Sequence, residues 1–193
     1  MKKLFLLAVA ALMTICAANA QSVKDEIAKS RERAEKLDAL CKDYKTCGNA
    51  CVDGYGNHVK DAAVLAIANS VQLENLYKRQ IQEGADGITD VTITKPKIED
   101  WIALATTVAG EGASIKAATD EAQNAANEAK TMGDEASKQK NPMKAAKTAK
   151  TAKAAAAVVT FGNAATPILV EESAAQVKAI DNIIKTLKAG KNL

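Results

Sequence analysis

Apolar side chains recur at alternating four- and three-residue spacings along most of this 193-residue chain. This spacing places them on one face of an α-helix, which completes a turn every ~3.6 residues. The first such stripe is polar only at Ser30 and comprises Val23, Ile27, Ser30, Ala34, Leu37, Cys41 and Tyr44. It predicts a first helix that is capped by Ser22 and ends before the glycines at 48, 54 and 56.

Two further helices follow in the pattern. Asn57 is predicted to cap the second helix, which runs to about Glu83 and is stopped by Gly84. The loop GADGITDVTITK comes next, and Pro96 then opens a third helix that keeps the apolar spacing to about residue 131. Such long, unbroken spacing is typical of a coiled coil. The second half of this stripe is almost all alanine, so we expect that end to bury little apolar area.

The C-terminal part of the chain predicts two more helices. Asn141 and Pro142 are the residue types of a helix cap and first turn, and they start a fourth helix that ends near Phe161. A turn is predicted at Gly162-Asn163, and a fifth helix starts at Thr166-Pro167 in the same way. The stripe of this fifth helix is Val170, Ser173, Val177, Ile180, Ile184 and Leu187.

These elements predict an all-α fold, an antiparallel helical bundle of about five helices with a long, coiled-coil-like third helix. The composition agrees with this prediction. Aromatic residues make up 3% of the chain, and there are 10 glycines and 3 prolines. Such a composition favours helices over a β-sandwich.

The N-terminus, MKKLFLLAVAALMTICAANAQS, has the organisation of a secretory signal peptide. Two lysines precede an apolar run from Leu4 to Ile15, and Ala18-Asn19-Ala20 supplies the small-residue cleavage pattern. We therefore expect cleavage after Ala20. A lipoprotein anchor on Cys16 is the alternative. Cleavage is favoured because Ile15 precedes Cys16, where lipoprotein signals carry a small residue.

Cleavage would leave residues 21–193, predicted to form a single all-helical domain. This part carries 24 Lys and Arg residues against 23 Asp and Glu residues, so its net charge is close to zero. We expect no transmembrane segment in it, and we expect it to be located in the periplasm or outside the cell. Its near-neutral charge and its signal peptide also argue against a nucleic-acid partner.

One stretch, CKDYKTCGNACVDGYGNH, holds three of the four cysteines and the only histidine. Cys41, Cys47, Cys51 and His58 lack the closely spaced CxxC pairs of zinc modules, so no metal site is predicted. An oxidising compartment favours a disulfide instead. We predict a bond between Cys47 and Cys51, with Cys41–Cys51 as the alternative pair. The remaining thiol would then be available to link two chains.

A second stretch is rich in lysine and alanine. Lys144, Lys147, Lys150 and Lys153 recur every third residue, and no acidic residue occurs from 136 to 170. These lysines spread over about half of the helix circumference. They are candidates for contacts to anionic lipid or anionic envelope polysaccharide. A solvated helix face without a ligand is the alternative interpretation.

The sequence contains little that suggests catalysis. It has one histidine, no recognisable nucleophile–base or metal motif, and no cofactor motif. The leading hypothesis is an exported, non-enzymatic helical bundle that acts by association with itself or with an envelope protein. The first alternative is a binder of anionic polymers or membrane surfaces through the lysines. The second alternative is a carrier with a small-ligand pocket between its helices.

Overall fold

The computed structural model describes residues 20–191 and 193, and over these residues the chain forms an all-α helical bundle without a β-strand. The helices are α1 (Ala20–Asp43), α2 (Ala50–Gln80), α3 (Ile98–Lys138) and α4 (Pro142–Lys188). The all-α prediction is therefore confirmed, whereas the coiled-coil character of the third helix remains a prediction. The predicted signal peptide falls almost wholly on residues outside the described part, and Cys16 lies there too.

The described residues form four helices rather than the five predicted, because α4 continues through Gly162 and Pro167. A proline inside a helix lacks an N–H donor and crowds the carbonyl four residues earlier. Packing outweighs this cost. Buried side chains keep helical spacing on both sides of the proline, at Phe161, Ala165, Leu169, Glu172 and Gln176.

Gly162 permits a close helix contact and does not form the predicted turn. A Cβ atom at this position would lie within 3 Å of the ring of Tyr55, a side chain that is itself buried. Gly56 has the same role toward Tyr44 and Val158. A glycine at a helix contact lets an aromatic ring pack directly against the backbone.

Helix α2 begins earlier than the sequence pattern predicts, and Asn57 is not its cap. The side chain of Asn49 accepts hydrogen bonds from the backbone N–H groups of Cys51, at 3.0 Å, and Val52, at 3.1 Å. This is the geometry of an N-cap. Asp53 in turn accepts a hydrogen bond from the backbone N–H of Cys47 at 2.7 Å. The helix then continues through Gly54 and Gly56.

The chain divides into two compact units, and each helix contributes a segment to both. The Trp101 unit contains the described residues up to Ala34 together with Leu65–Gly110 and Glu171–Leu193. Its core is built from large apolar side chains, among them Leu73, Trp101, Leu104, Ile180 and Ile183.

The Tyr44 unit contains Glu35–Val64 and Glu111–Val170. One cluster of its core has Val52, Ala155 and Val158 at its buried centre, and the side chains packed against them are Tyr44, Cys47, Ala129, Met132 and Val159. Leu37, Tyr55 and Leu169 are fully buried in this unit as well. Within this unit α2 and α3 run antiparallel, because Asn49 bonds to Glu128 at 3.0 Å and His58 to Glu121 at 2.8 Å.

Helix α4 contains a stretch that is long and apolar enough to cross a membrane, with a mean hydropathy of 1.3. One third of that stretch is buried inside the protein. The core helix of a helical bundle meets the same two criteria, so this finding is weak support for a membrane span. The absence of a transmembrane segment from the mature chain remains a prediction.

Candidate functional site

The lysine segment, defined as residues 138–153, lies at the end of α3 and the beginning of α4. All six of its lysines are exposed, and they are Lys138, Lys140, Lys144, Lys147, Lys150 and Lys153. The lysine–carboxylate pairs of the described residues involve other lysines, at positions 42, 78, 116 and 185. The lysine segment therefore presents its charge to solvent without a salt bridge to a carboxylate in the part of the chain that the structure describes.

Helix α4 begins at the position that the sequence predicts. Asn141 caps it by accepting hydrogen bonds from the backbone N–H groups of Met143, at 3.1 Å, and Lys144, at 3.2 Å. No side chain from Pro142 to Thr151 is buried, and Met143 is 85% exposed. This first part of α4 is thus a solvent-facing, cationic helix segment.

The interhelix loop, residues 81–97, joins α2 to α3 and is ordered by hydrogen bonds within itself. Gln82 adopts a positive φ of 56°, which is uncommon for a residue with a side chain. Its side-chain amide holds the far side of the loop by donating to the carbonyls of Val91, at 3.2 Å, and Ile93, at 3.0 Å. The Gln82 carbonyl also accepts the N–H of Asp90 at 2.8 Å.

Two aspartates fold the tip of this loop. Asp86 accepts a hydrogen bond from the N–H of Ile88 at 3.0 Å, and Asp90 accepts the N–H and hydroxyl of Thr92 at 2.9 and 2.7 Å. The bonds from Thr92 lower the pKa of Asp90, so this carboxylate stays charged. The loop thereby directs two large apolar side chains into solvent: Ile88 is 66% exposed and Val91 is 79% exposed.

The cysteine-rich corner lies at the end of α1 and the start of α2. Cys41 and Cys47 are partly buried, Cys51 is exposed, and all three are free thiols in the structure. Burial raises the pKa of the Cys41 and Cys47 thiols, which lowers their thiolate fraction at neutral pH. Because the structure shows no bond between these three cysteines, the Cys47–Cys51 disulfide and its Cys41–Cys51 alternative remain predictions.

His58 lies beside Glu121, at 2.8 Å, and is not placed with the cysteines in a ligand set. Among the described residues, no group of three or more His, Cys, Asp or Glu side chains could hold a metal ion.

The Trp101 unit buries a polar cluster around Glu172, whose side chain is fully buried. Its carboxylate accepts hydrogen bonds from Ser30, from Gln176 at 2.6 Å and from Arg33 at 2.5 Å. Because Ser30 has a single hydroxyl proton and gives it to Glu172, Ser70 must donate in the 2.8 Å bond that joins the two serines.

Arg33 links this buried cluster to two glutamates that are nearer the surface. It also contacts Glu26 at 2.6 Å and Glu171 at 3.2 Å. Burial acts to lower the pKa of Arg33, but the hydrogen bonds and charges of Glu172 and Glu26 outweigh it, and the pKa is raised. Since the carboxylate of Glu172 is satisfied from three sides, the cluster stabilises the packing of α1 and α4 and has no open position for a substrate.

The surface of the Trp101 unit has two depressions that could in principle hold a ligand. One is formed by the interhelix loop itself, between Gly84 and Val91. The other, of about 150 Å³, lies beside Ile27, Arg31, Glu74 and Tyr77. Both are open to solvent, so neither is the enclosed apolar space that a carrier requires.

Comparison of this chain with known protein families, with curated proteins and with solved structures finds no match.

The sequence predicts the lysine segment as a candidate surface, but it does not predict the exposed apolar side chains of the interhelix loop or the buried cluster around Glu172. The loop was recognised as a loop, but its outward apolar side chains were not predicted. Asp86-Gly87 next to Ile88 was the available signal, because this dipeptide favours a tight turn that exposes its neighbour. Arg33, Glu172 and Gln176 were missed because polar residues were assigned to solvent.

Proposed function

We propose that this protein is a non-enzymatic helical-bundle protein that acts by binding another protein through its interhelix loop. The observation that supports this most is the combination of order and exposure in the loop. Its backbone is fixed by Gln82, Asp86 and Asp90, while Ile88 and Val91 extend into solvent. A surface that is ordered before binding loses less conformational entropy when it binds.

The loop is also long for a helix connection. Helix–helix connections in bundles have roughly 2–8 residues, and loops beyond about 12–15 residues are usually functional or disordered. The 81–97 loop exceeds this range and is ordered by its own hydrogen bonds. Binding residues lie disproportionately on loops that a rigid scaffold positions, and Ile88 and Val91 lie on such a loop.

Site-specific photo-crosslinking in the producing cell tests this function. A photoreactive amino acid replaces Val91, and in a control protein it replaces Val71, a valine of α2 that is 55% exposed. We expect a discrete crosslinked protein adduct from position 91 and not from position 71. Mass spectrometry then identifies the adduct. No adduct from position 91, or equal adducts from both positions, would contradict the function.

The lysine segment supports a second candidate function, the binding of anionic polymers or membrane surfaces. The specific observation is that its lysines are exposed and have no acidic partner among the described residues. Such binding is electrostatic, so it should weaken as salt screens the charges.

Vesicle binding tests this second candidate. Phosphatidylglycerol vesicles should bind the chain in about 0.05 M salt and release it in about 0.3 M salt. Phosphatidylcholine vesicles should not bind it. The K147E/K150E variant should lose binding, whereas K29E/K36E, with the same change in net charge on exposed lysines of α1, should keep it. Binding that is insensitive to salt or to K147E/K150E would exclude this function.

A further inference from the structure

The charges of residues 21–193 are separated along the chain. The lysine segment carries six basic residues and no acidic one within residues 138–153. The rest of residues 21–193 then holds 18 basic and 23 acidic residues, so it is net negative. The near-neutral net charge of residues 21–193 is therefore the sum of a strongly cationic segment and a net negative remainder.

The interhelix loop is part of this anionic remainder. Between Arg79 and Lys95 there are three acidic residues, Glu83, Asp86 and Asp90, and no basic one. Asp86 and Asp90 are exposed, as are the neighbouring Ile88 and Val91. The tip of the loop, residues 83–91, thus combines negative charge with exposed apolar side chains, whereas Lys95 and Lys97 lie at the C-terminal end of the loop.

The first part of α4 has the complementary composition. Its lysines are exposed on a helix face that buries no side chain between Pro142 and Thr151, and Met143 is 85% exposed beside them. Methionine is a flexible apolar side chain that adapts to a contact surface. Positive charge with an apolar residue on one surface matches negative charge with apolar residues on the other.

From this complementarity we propose that the interhelix loop of one copy docks on the lysine segment of a second copy of this chain. The docking rests on the protein-binding function of the loop proposed above, for which it identifies the partner. The apolar contact would form between Ile88, Val91 and Met143, and the aspartates would lie among the lysines.

A contact of this kind is head-to-tail, because it joins two different surfaces. After two copies pair, one copy keeps a free lysine segment and the other keeps a free loop. Such contacts build open chains, or rings where the rotation closes. We therefore expect wild-type protein to form species larger than dimers as its concentration rises.

Mixing two defective variants tests the head-to-tail contact. D86N/D90N removes two charges from the loop but retains the side-chain oxygens that accept the hydrogen bonds from Ile88 and Thr92. K147E/K150E removes the partner surface, and K147Q/K150Q is a milder version of it. Circular dichroism verifies that each variant is folded. Each variant keeps one intact surface, so neither should associate alone at a concentration at which the wild type has begun to associate.

Sedimentation velocity of the equimolar mixture should show a one-to-one dimer that does not grow further. Each double variant should raise the dissociation constant of wild-type association by about tenfold. I88S/V91S should also weaken association but leave its salt dependence unchanged. K29E/K36E should associate as the wild type does.

Three results would overturn this assembly: a wild-type chain that stays monomeric, a mixture that forms no dimer, or a D86N/D90N protein that associates alone like the wild type. The crosslinking experiment at position 91 separates this failure from failure of the binding function. An adduct with a different protein would retain the function and reject self-association, whereas no adduct would reject both.

Discussion

At the scale of single residues, the carboxylate of Glu172 is the clearest case of a buried charge that the fold must satisfy. It is inaccessible to solvent and bonds to Ser30, Arg33 and Gln176. Removing this carboxylate leaves Ser30 and Gln176 without their buried acceptor and leaves Arg33 with only its more exposed glutamate partners. The adjacent Glu171 contacts the same arginine, but its side chain is 70% exposed.

Glu172→Ala should therefore lower the free energy of unfolding by about 3–5 kcal/mol. Glu171→Ala is the matched control and should cost about 0–1 kcal/mol, as expected for an exposed ion pair. Urea unfolding followed by circular dichroism measures both. Equal effects of the two substitutions would show that the cluster around Glu172 does not form.

Tyr44 is a residue whose titration should affect stability at high pH. Burial, followed by the negative charge of Asp53 and Asp61, raises its pKa to about 12. Its hydroxyl donates to Asn57 at 2.8 Å, and its ring contacts that of Phe161. The folded state thus favours the neutral phenol.

Because the folded pKa lies above the unfolded value of about 10, this stabilisation is fully present below about pH 10. It is lost as the pH rises toward 12. Urea unfolding at pH 8 and pH 11 should show a larger loss of stability in the wild type than in Tyr44→Phe. An identical loss in both proteins, or a Tyr44 phenol that ionises near pH 10, would contradict this environment.

At the scale of elements, the continuity of α4 depends on the close contact between Gly162 and Tyr55. An added Cβ would overlap a buried ring that has little room to move. Gly54, inside α2, is a matched control because a Cβ there would meet no atom within 4 Å.

Gly162→Ala should destabilise the protein by about 1–3 kcal/mol through overpacking. Gly54→Ala should stabilise it by roughly 0.5–1 kcal/mol, since alanine is the better residue in a helix interior. Thermal unfolding of the two variants checks both signs. A neutral or stabilising Gly162→Ala would favour the turn that the sequence pattern predicts at this position.

The helices also show which parts of the fold can be predicted from the sequence alone. The all-α fold and the Asn141 cap of α4 follow from spacing and residue type, and so does the buried stripe of α1 from Val23 to Leu37. The predicted boundary between a fourth and a fifth helix does not exist, because α4 continues through it. Glycine and proline occur in turns and also within closely packed helices, so residue type alone does not distinguish the two cases. Only the position of Tyr55 distinguishes the two.

Part of the stripe predicted for the C-terminal end of α4 is displaced by one residue for a related reason, whereas Ile180 is buried as predicted and Ile184 and Leu187 pack against the same core. The pattern selected Ser173 and Val177, whereas Glu172 and Gln176 are the buried residues and Val177 is exposed. Sequence spacing assigns charged residues to solvent, and it contains no information about Arg33, a partner 139 positions away in the chain. The exposure of the four lysines at 144, 147, 150 and 153 is predictable from the sequence because exposed charge requires no partner, and their contact with an anionic polymer stays a prediction.

At the scale of the whole molecule, the proposed function rests on the distribution of charge and apolar surface. The interhelix loop is ordered, acidic and apolar at its tip, while the lysine segment is cationic and carries the exposed Met143. Association through these surfaces should be steered by charge and held by apolar contact. It should therefore depend on salt more than an apolar interface would.

Sedimentation velocity of residues 21–193 over a range of concentrations and salt is the most direct measurement. We predict species larger than the monomer that grow with concentration in about 0.05 M salt and dissociate toward the monomer in about 0.3 M salt. A chain that remains monomeric at every concentration in low salt would contradict self-association, and association unchanged by salt would contradict the role of the lysine segment.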